Sequence, residues 1–438
     1  MQFANSLIGR QLKTVVQCSI FHLHGLVSDD LLQVWKAVGE LSALVWFPEI
    51  RDLKQYLSDV ETATANVLDA FAQLDPSKIP VKLKLHLLTH LTEDIRRFGP
   101  LVGLSTEVFE SFNSVFRSCS ILSNHLAPSR DIALQLADQE GLKWRTSGGW
   151  WFSSERQEWV QAGPGLREFM KSQPIVHQLL GLSDGVGPKP CTVKLSPQVQ
   201  DAGKTTRSRT TFSLATTKAP KALNKLSYAL NAQVLSCQHL ISQSGDVCKV
   251  GTWVVLESRL DQSPMIGRIS NILQHAQTPP QGISSNITVV EIFTTSDHRH
   301  ATLDLPVLYQ PQSEDSYIVT PVKNIKFNFN AQHDCRIAQC ESTGLRPHRQ
   351  ERQDSEIMDS FVEHKPLNRY IINLHSFHNG YLIREVLPRE LVKPSPIHAD
   401  REKHHLKCAQ ELRKNQGKRA AELAARKRAR QEADNDSD

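Results

Sequence analysis

Apolar residues recur at helical spacing through most of the first hundred positions. Asp29 and Asp30 stand where the first such pattern begins, and Asp75-Pro76-Ser77 closes the second. A period near 3.6 residues is typical of amphipathic helices, and acidic or proline-containing turns commonly bound them. The pattern therefore predicts helices from Met1 to about Leu74. Its two stripes comprise Leu31, Leu32, Val34, Trp35, Val38 and Leu41, then Leu53, Tyr56, Leu57, Val60, Val67 and Phe71.

The helical pattern continues from Lys84 to Asp131, with one break. Gly99-Pro100 interrupts it, because proline cannot continue a helix and restricts the residue before it. Ser105 or Thr106 can cap the helix that follows. The two helices on either side of the break are predicted from the apolar positions Leu85, Leu88, Leu91 and Ile95, and Val108, Phe112, Val115 and Phe116.

Short apolar runs replace the helical pattern after about Val247. Clusters of Gly, Pro, Asn or Asp separate them, which predicts several short strands and a small β-barrel. The runs are KVGTWVVLE, MIGRISNIL, NITVVEIF, TLDLPVLY, YIVTPVKNI and KFNF. The predicted fold class is therefore α+β: a helical N-terminal region, a basic linker, a small β-rich, barrel-like module and a basic helical tail.

Composition sets the predicted domain bounds. Lys, Thr, Ser, Pro and Gly dominate from about Ser183, and segments with few large apolar residues cannot bury enough surface to fold. We predict a helical region at 1–182, a basic disordered linker at 183–245, a β-rich module at 246–392 and a basic helical tail at 393–438.

Charge and cysteine usage narrow the functional class. The net charge of +5 is concentrated in the linker and the tail, which favours a nucleic-acid partner over a small-molecule substrate. There is no apolar run of membrane-spanning length and no signal-peptide pattern, and the eight cysteines are dispersed. We expect an intracellular, soluble protein with reduced thiols.

One pair of cysteines lies close enough in sequence to bind a metal. Cys335 and Cys340, with His333, have the ligand types and the spacing that suit Zn²⁺, which takes four N or S ligands in structural sites. The fourth ligand stays open among His348, His364, His375 and His378. Buried reduced thiols beside a core histidine are the alternative interpretation.

Aromatic and basic groups suggest where nucleic acid would bind. Trp150, Trp151 and Trp159 either stack on bases or, as is more usual beside glycine, close the edge of a core. The tail forms either a solvated helix or a surface for phosphates and nuclear import. Its basic clusters are Lys418-Arg419 and Arg426-Lys427-Arg428.

Two carboxylates after the break admit two interpretations. Glu107 and Glu110 are three residues apart, so they share one helix face. In a first turn they also complement the helix dipole, which is the purely structural explanation.

The stretch around them resembles the C-terminal part of CACTA-type cut-and-paste transposases, and most closely those of the Plavaka kind from mushroom-forming fungi. The shared positions are His86-Leu-Leu-x-His90-Leu, Arg96-Arg97-Phe98-Gly99-Pro100, Ser105-Thr106-Glu107, Phe109-Glu110-x-Phe112-Asn113 and Ser123-Asn124-His125-x-Ala127-Pro128-Ser129-Arg130-Asp131-Ile132-Ala133. The segment from Ser28 to Val60 and the pattern QHDC…C…QER…H…YIIN…HN…LPR resemble the same proteins.

The resemblance implies a ribonuclease-H-like nuclease core interrupted by helices. Its last catalytic carboxylate would be Glu110, with Glu107 as the alternative. Such enzymes hold two Mg²⁺ ions about 4 Å apart on three carboxylates. The strands that would carry the first two aspartates are expected to be missing, so a complete active site is not expected here. Arg96, Arg97 and Arg130 lie in the resembling stretch and are predicted to contact nucleic acid.

The β-rich module resembles bromo-adjacent homology modules, which bind chromatin partners. Together these features predict a nuclear protein derived from a transposable element, catalytically incomplete and retaining DNA or chromatin binding, with Mg²⁺ required only if upstream sequence completes the catalytic domain. The alternative is a chromatin-associated scaffold that holds a protein partner without touching DNA.

Overall fold

A computed structural model of the chain describes residues 9–121, 123–173, 188–198, 209–224, 227–258, 263–311, 316–348 and 356–416. The chain divides into two compact units. The first unit draws on residues 1–103 and 190–438, and the second on residues 104–189. The α+β class is confirmed, with a helical N-terminal region and a β-rich C-terminal region.

Helices α1 to α3 confirm the predicted apolar stripes. They span Gly9–Leu23, Asp29–Val45 and Leu53–Leu74. The Ser28 hydroxyl accepts a hydrogen bond from the Leu31 amide, and the Asp52 carboxylate accepts one from the Gln55 amide, so both longer helices have side-chain N-caps. Their apolar faces pack together, with Leu44 and Val60 at most 1 % exposed.

The predicted break is also confirmed. Helices α4 to α6 span Lys78–Val81, Leu83–Leu87 and Leu91–Phe98. The last of them ends at Gly99, whose φ of 78° is a backbone conformation that favours glycine. Ile95 anchors α6 in the cluster formed by α2 and α3.

The described residues of the second unit form three helices and one hairpin. Helices α7 to α9 span Glu107–Ile121, Pro128–Thr146 and Pro164–Ser172, and strands β1 and β2 span Trp150–Ser153 and Glu158–Gln161. Among its described side chains, those buried are Cys119, Thr146, Ala162 and Met170.

Strands β3 to β16 make up the β-rich region, in which β14 and β15 form a separate two-stranded hairpin and the others belong to the main sheet. Strands β3 to β9 span Val193–Leu195, Thr211–Ser213, Gln233–Ile241, Val247–Cys248, Trp253–Glu257, Pro264–His275 and Asn286–Arg299. Strands β10 to β16 span Pro306–Tyr309, Tyr317–Pro321, Ile325–Phe329, Ala331–His333, Glu341–Pro347, Met358–Glu363 and Arg369–Ile372. The six runs predicted as strands, from KVGTWVVLE to KFNF, each contain a strand, as predicted.

The main sheet follows the order β12-β7-β8-β9-β10-β16-β13. In addition, β5 pairs with β8, and β11 pairs with β9. Both faces of β7 are buried: Trp253 and Val255 belong to one cluster, and Val254 and Leu256 to another. Burial on both faces explains why this strand reads as a continuous apolar run.

The prediction of a disordered linker at 183–245 is wrong for the described parts of that range. Strands β3 and β4 pair with β5. Val193 and Phe212 each pack against a core cluster. Backbone pairing to a long neighbouring strand compensates for the polar composition on which the prediction rested.

The helical N-terminal region is not a domain separate from the β-rich module, contrary to the predicted bounds. Ile20 and Leu32 are buried in the same cluster as Trp253, Phe293 and Ile372. A common core explains why residues 1–103 and 190–438 form one unit.

Short helices complete the first unit. Helix α10 spans Cys335–Ala338, α11 spans Gly380–Val386, and α12 spans Arg389–Val392. A further helix, α13, occupies 401–416. None of the described helices combines the length and the apolar character that crossing a membrane requires.

Candidate metal centre and basic surface

The three predicted metal ligands lie together, and the structure adds a fourth. His333 ends β13, Cys335 begins α10, Cys340 directly precedes β14, and His364 directly follows β15. One potential ligand atom from each of them lies within 4.8 Å of all the others. We call this group the metal cluster.

Both thiols of the metal cluster contact imidazole nitrogens. Cys335 Sγ lies 3.5 Å from His333 Nδ1 and 3.4 Å from His364 Nδ1. Cys340 Sγ lies 3.7 Å from His333 Nδ1. The rings of His333 and His364 are 4.6 Å apart between centroids. The four donor groups therefore converge on one point.

Local backbone geometry brings the two thiols together. The buried Asp334 carboxylate accepts a hydrogen bond from the Ile337 amide and so caps α10. Gln339, with φ 52°, reverses the chain, and the Cys340 amide donates to the Cys335 carbonyl over 3.0 Å. The Asp334 carboxylate also forms an ion pair with Arg369, with 3.0 Å between Oδ2 and Nε, and this pair holds the turn against the start of β16.

Burial favours the neutral forms of two side chains of the metal cluster, Cys335 and His333. Burial raises the pKa of the Cys335 thiol to about 11, and the neighbouring Cys340 adds to the effect. Burial also lowers the pKa of His333, as does His364. The Lys365 amide donates to Cys340 Sγ over 3.3 Å, a contact that would stabilise a thiolate.

The other three candidates for the fourth ligand lie elsewhere. His348 Nδ1 contacts Asp359 at 3.0 Å, and His378 Nε2 contacts Asp246 at 3.0 Å. His375 is nearly fully buried beside Gly39. The sequence offered no signal that singles out His364, because the pairing of β14 with β15 decides which histidine lies beside Cys340.

Arg96 and Arg97 belong to a wider group of exposed cations in the first unit. They occupy the last turn of α6, whose first turn carries Glu93 and Asp94. Helix α13 lies beside α4: an apolar cavity of about 270 Å³ is lined by Ile79 and Pro80 of α4 on one side and by α13 on the other. We call the following exposed residues the basic surface: Lys82, Lys84, Arg96, Arg97, Lys403, Lys407, Arg413 and Lys414.

A buried ion pair fixes α13 to α3. The Asp69 side chain is 1 % exposed and accepts hydrogen bonds from Arg401 at 2.7 Å and from His405 at 2.7 Å. Burial acts to raise the pKa of Asp69, but the hydrogen bonds from Arg401 and His405 outweigh it and lower that pKa. The start of the predicted basic tail is therefore a docked helix.

The remaining predicted site residues are only partly described. Glu107 and Glu110 lie on α7, as predicted, but their side chains fall outside the described residues. Arg130 is exposed on α8, in the second unit. The basic clusters Lys418-Arg419 and Arg426-Lys427-Arg428 also lie outside the described residues.

The predicted tryptophans lie on the β1–β2 hairpin. Register places Trp150, Phe152 and Trp159 on one face, and these side chains are 56 %, 49 % and 65 % exposed. Closing the edge of a core is therefore the wrong interpretation for Trp150 and Trp159. Trp151 lies on the opposite face, with the Arg145 guanidinium 5.3 Å from its ring.

Comparison with known proteins gives one match. The chain matches a family described as a domain of unknown function, DUF8590, over residues 193–392, which include the whole metal cluster. Neither the curated proteins nor the solved structures that were searched contain a match.

Proposed function

We propose that this chain is a transposable-element-derived nuclear protein that binds DNA through the basic surface. The observation that carries the proposal is the docking of α13 on α3 and α4, because α6 also packs on α3 and exposed cations from two distant stretches of sequence therefore lie on helices that share a neighbour. Cations that neutralise phosphates release counterions and so provide affinity without sequence specificity.

The transposase resemblance supports DNA as the partner. In this proposal the helical residues are a remnant of a ribonuclease-H-like core, and Glu110, or else Glu107, is the counterpart of its last catalytic carboxylate. One carboxylate does not hold two Mg²⁺ ions, so the chain alone binds DNA without cutting it. Arg130 and the clusters at 418–419 and 426–428 would add phosphate contacts, and the latter would also direct nuclear import.

The β-rich region would serve as the scaffold for this surface. We propose that its main sheet closes as a barrel, since β12 and β13 belong to one run of chain, with β12 pairing β7 and β13 pairing β16. Closure removes unpaired strand edges and gives a rigid body.

Salt dependence tests the proposal. Fluorescence anisotropy with a labelled duplex should show affinity falling with salt, at a slope of about −0.9 per phosphate contacted. Arg96→Glu/Arg97→Glu should weaken binding at least tenfold at low salt and reduce the magnitude of the slope by about 2.

A matched double variant provides the control. Lys194→Glu/Lys249→Glu makes the same change in net charge at exposed positions on β3 and beside β6. It should retain most of the affinity. Equal losses in both variants, or binding that does not change with salt, would rule out the basic surface as the DNA site.

A protein-binding scaffold is the second candidate, and the β14–β15 hairpin favours it. Register puts Leu345, Met358 and Val362 on one face, where they are 63 %, 49 % and 44 % exposed. Apolar side chains exposed together commonly mark a protein interface. Partners that remain bound after nuclease treatment of an extract, and that Leu345→Ser/Met358→Ser releases, would favour this function over DNA binding.

A further inference from the structure

We propose that His333, Cys335, Cys340 and His364 bind one Zn²⁺ ion that clamps the base of the β14–β15 hairpin. This inference stands independently of DNA binding. Two thiolates and two imidazoles are the donor set of closed, tetrahedral structural zinc sites, and soft sulfur ligands disfavour Mg²⁺ and Ca²⁺.

The distances within the metal cluster match those of a tetrahedral site. With Zn–S near 2.3 Å and Zn–N near 2.1 Å, tetrahedral angles separate a sulfur from a nitrogen by about 3.6 Å. The three sulfur–nitrogen contacts are 3.4, 3.5 and 3.7 Å. The side chains are therefore already placed for the cation. Both histidines would bind it through Nδ1.

The surroundings of the ligands also suit a bound cation. His333 is held at the end of β13, paired with Tyr370 of β16. The Lys365 amide donates to Cys340 Sγ, which is the usual way in which backbone groups stabilise a zinc-bound thiolate. The His333 ring also meets the edge of the Tyr370 ring, at 5.6 Å between centroids, which helps to fix its orientation.

The position of the ligands along the chain indicates what the metal does. Cys340 and Glu341 begin the hairpin, and Glu363 and His364 end it. An isolated two-stranded hairpin is marginally stable in water. Within the hairpin, Phe361 lies over Gly344, where an added Cβ would be 2.4 Å from the ring, and most other apolar side chains are exposed. Few buried side chains are available to fix the register of β14 against β15, and a zinc ion at the base of the hairpin would fix it.

Metal content is the first test. The full chain, purified under reducing conditions without chelator, should contain about one equivalent of zinc by elemental analysis. Cys340→Ser and His364→Ala should each lose it. His348→Ala, which removes a histidine beside the same hairpin, and Cys191→Ser should retain it. No zinc in the parent chain, or zinc retained by both ligand variants, would overturn the proposal.

Cobalt substitution keeps the test independent of whether the variants fold. Refilling the parent chain with Co²⁺ should produce the intense visible bands of tetrahedral cobalt and thiolate charge-transfer absorption. Absence of these bands would rule out the S₂N₂ site. Chelation should also speed amide exchange in 341–347 and 358–363, while β7 to β9 stay protected. Unchanged exchange in the hairpin would contradict the clamp.

Discussion

The two units of the chain differ sharply in how they bury their apolar residues. The first unit contains the four clusters found among the described residues, with Ile20, Leu256 and Ile372 fully buried. In the second unit, large apolar side chains such as Leu126, Trp144 and Ile121 are 60 % exposed or more. Yet much of the stretch resembling transposases lies in this second unit. The positions that suggested a transposase therefore occur in both units, although the two units bury their apolar residues differently.

A core truncation tests this difference most strongly. Leu256→Ala removes a side chain that is 0 % exposed in the first unit, and the cavity should lower the free energy of unfolding by about 3 kcal/mol. Leu142→Ala removes one that is 51 % exposed on α8, and its effect should stay below about 0.5 kcal/mol. Urea unfolding measures both, and similar losses would refute the difference between the units.

Acid should destabilise the first unit through Asp246. Burial acts to raise its pKa, but hydrogen bonds from His378, Asn328 and Ser244 outweigh burial and lower the pKa of Asp246 to about 2. A carboxyl with a lowered folded pKa stabilises the fold above its unfolded pKa, so about 2 kcal/mol should be lost as pH falls from about 4 towards 2.

The variant Asp246→Asn checks this assignment. It should be less stable than the parent near neutral pH, and its free energy of unfolding should change less than the parent's over the same acid range. Urea unfolding at a series of pH values measures both proteins. Parallel pH dependences would show that Asp246 is not the group responsible.

Replacing a helical glycine by alanine should destabilise the first unit and stabilise the second. A Cβ on Gly39 would lie 2.2 Å from the ring of His375, which is 3 % exposed and has little room to move. Gly39→Ala should therefore cost about 2 kcal/mol. Gly141 on α8 has nothing within 4 Å, so Gly141→Ala should gain up to about 1 kcal/mol of helix propensity. Thermal unfolding would detect both changes, and a gain at Gly39 would contradict the close packing.

Helix caps give the smallest expected effects. Asp52→Ala removes the N-cap of α3 and should cost about 1 kcal/mol. Helix α8 begins after Ala127, which provides no side-chain cap, so Ala127→Asp should stabilise it by about 0.5 to 1 kcal/mol. Local hydrogen exchange in each helix would measure these changes. A loss at Ala127 would mean that its backbone cannot adopt the capping geometry.

Local patterns predicted elements better than they predicted how those elements pack. The strands from β7 to β12 were readable because their apolar runs are bounded by turn residues. Strands β3 and β4 were not, since three-residue strands of mixed polarity depend on β5 for pairing. Nor does any local pattern indicate that Ile20 shares a core with Ile372, because such contacts depend on the tertiary fold.

The candidate site shows the same limit. His333, Cys335 and Cys340 were predicted from residue type and short spacing. His364 could not be singled out, because the intervening hairpin, and not the sequence distance, sets which histidine returns to Cys340. Of the basic surface, Arg96 and Arg97 and the basic helical character of the tail were predicted, but the position of the tail beside α3 was not. Its α13 residues depend on the contact between Asp69 and Arg401, more than 300 positions apart.

Hydrogen exchange along the intact chain tests the contrast between the two units most directly. We predict slow exchange in α2, α3 and β7 to β9, and much faster exchange throughout α7 to α9 and the β1–β2 hairpin, because opening costs least where few apolar side chains are buried. Protection in residues 104–173 equal to that of β7 to β9 would contradict the account.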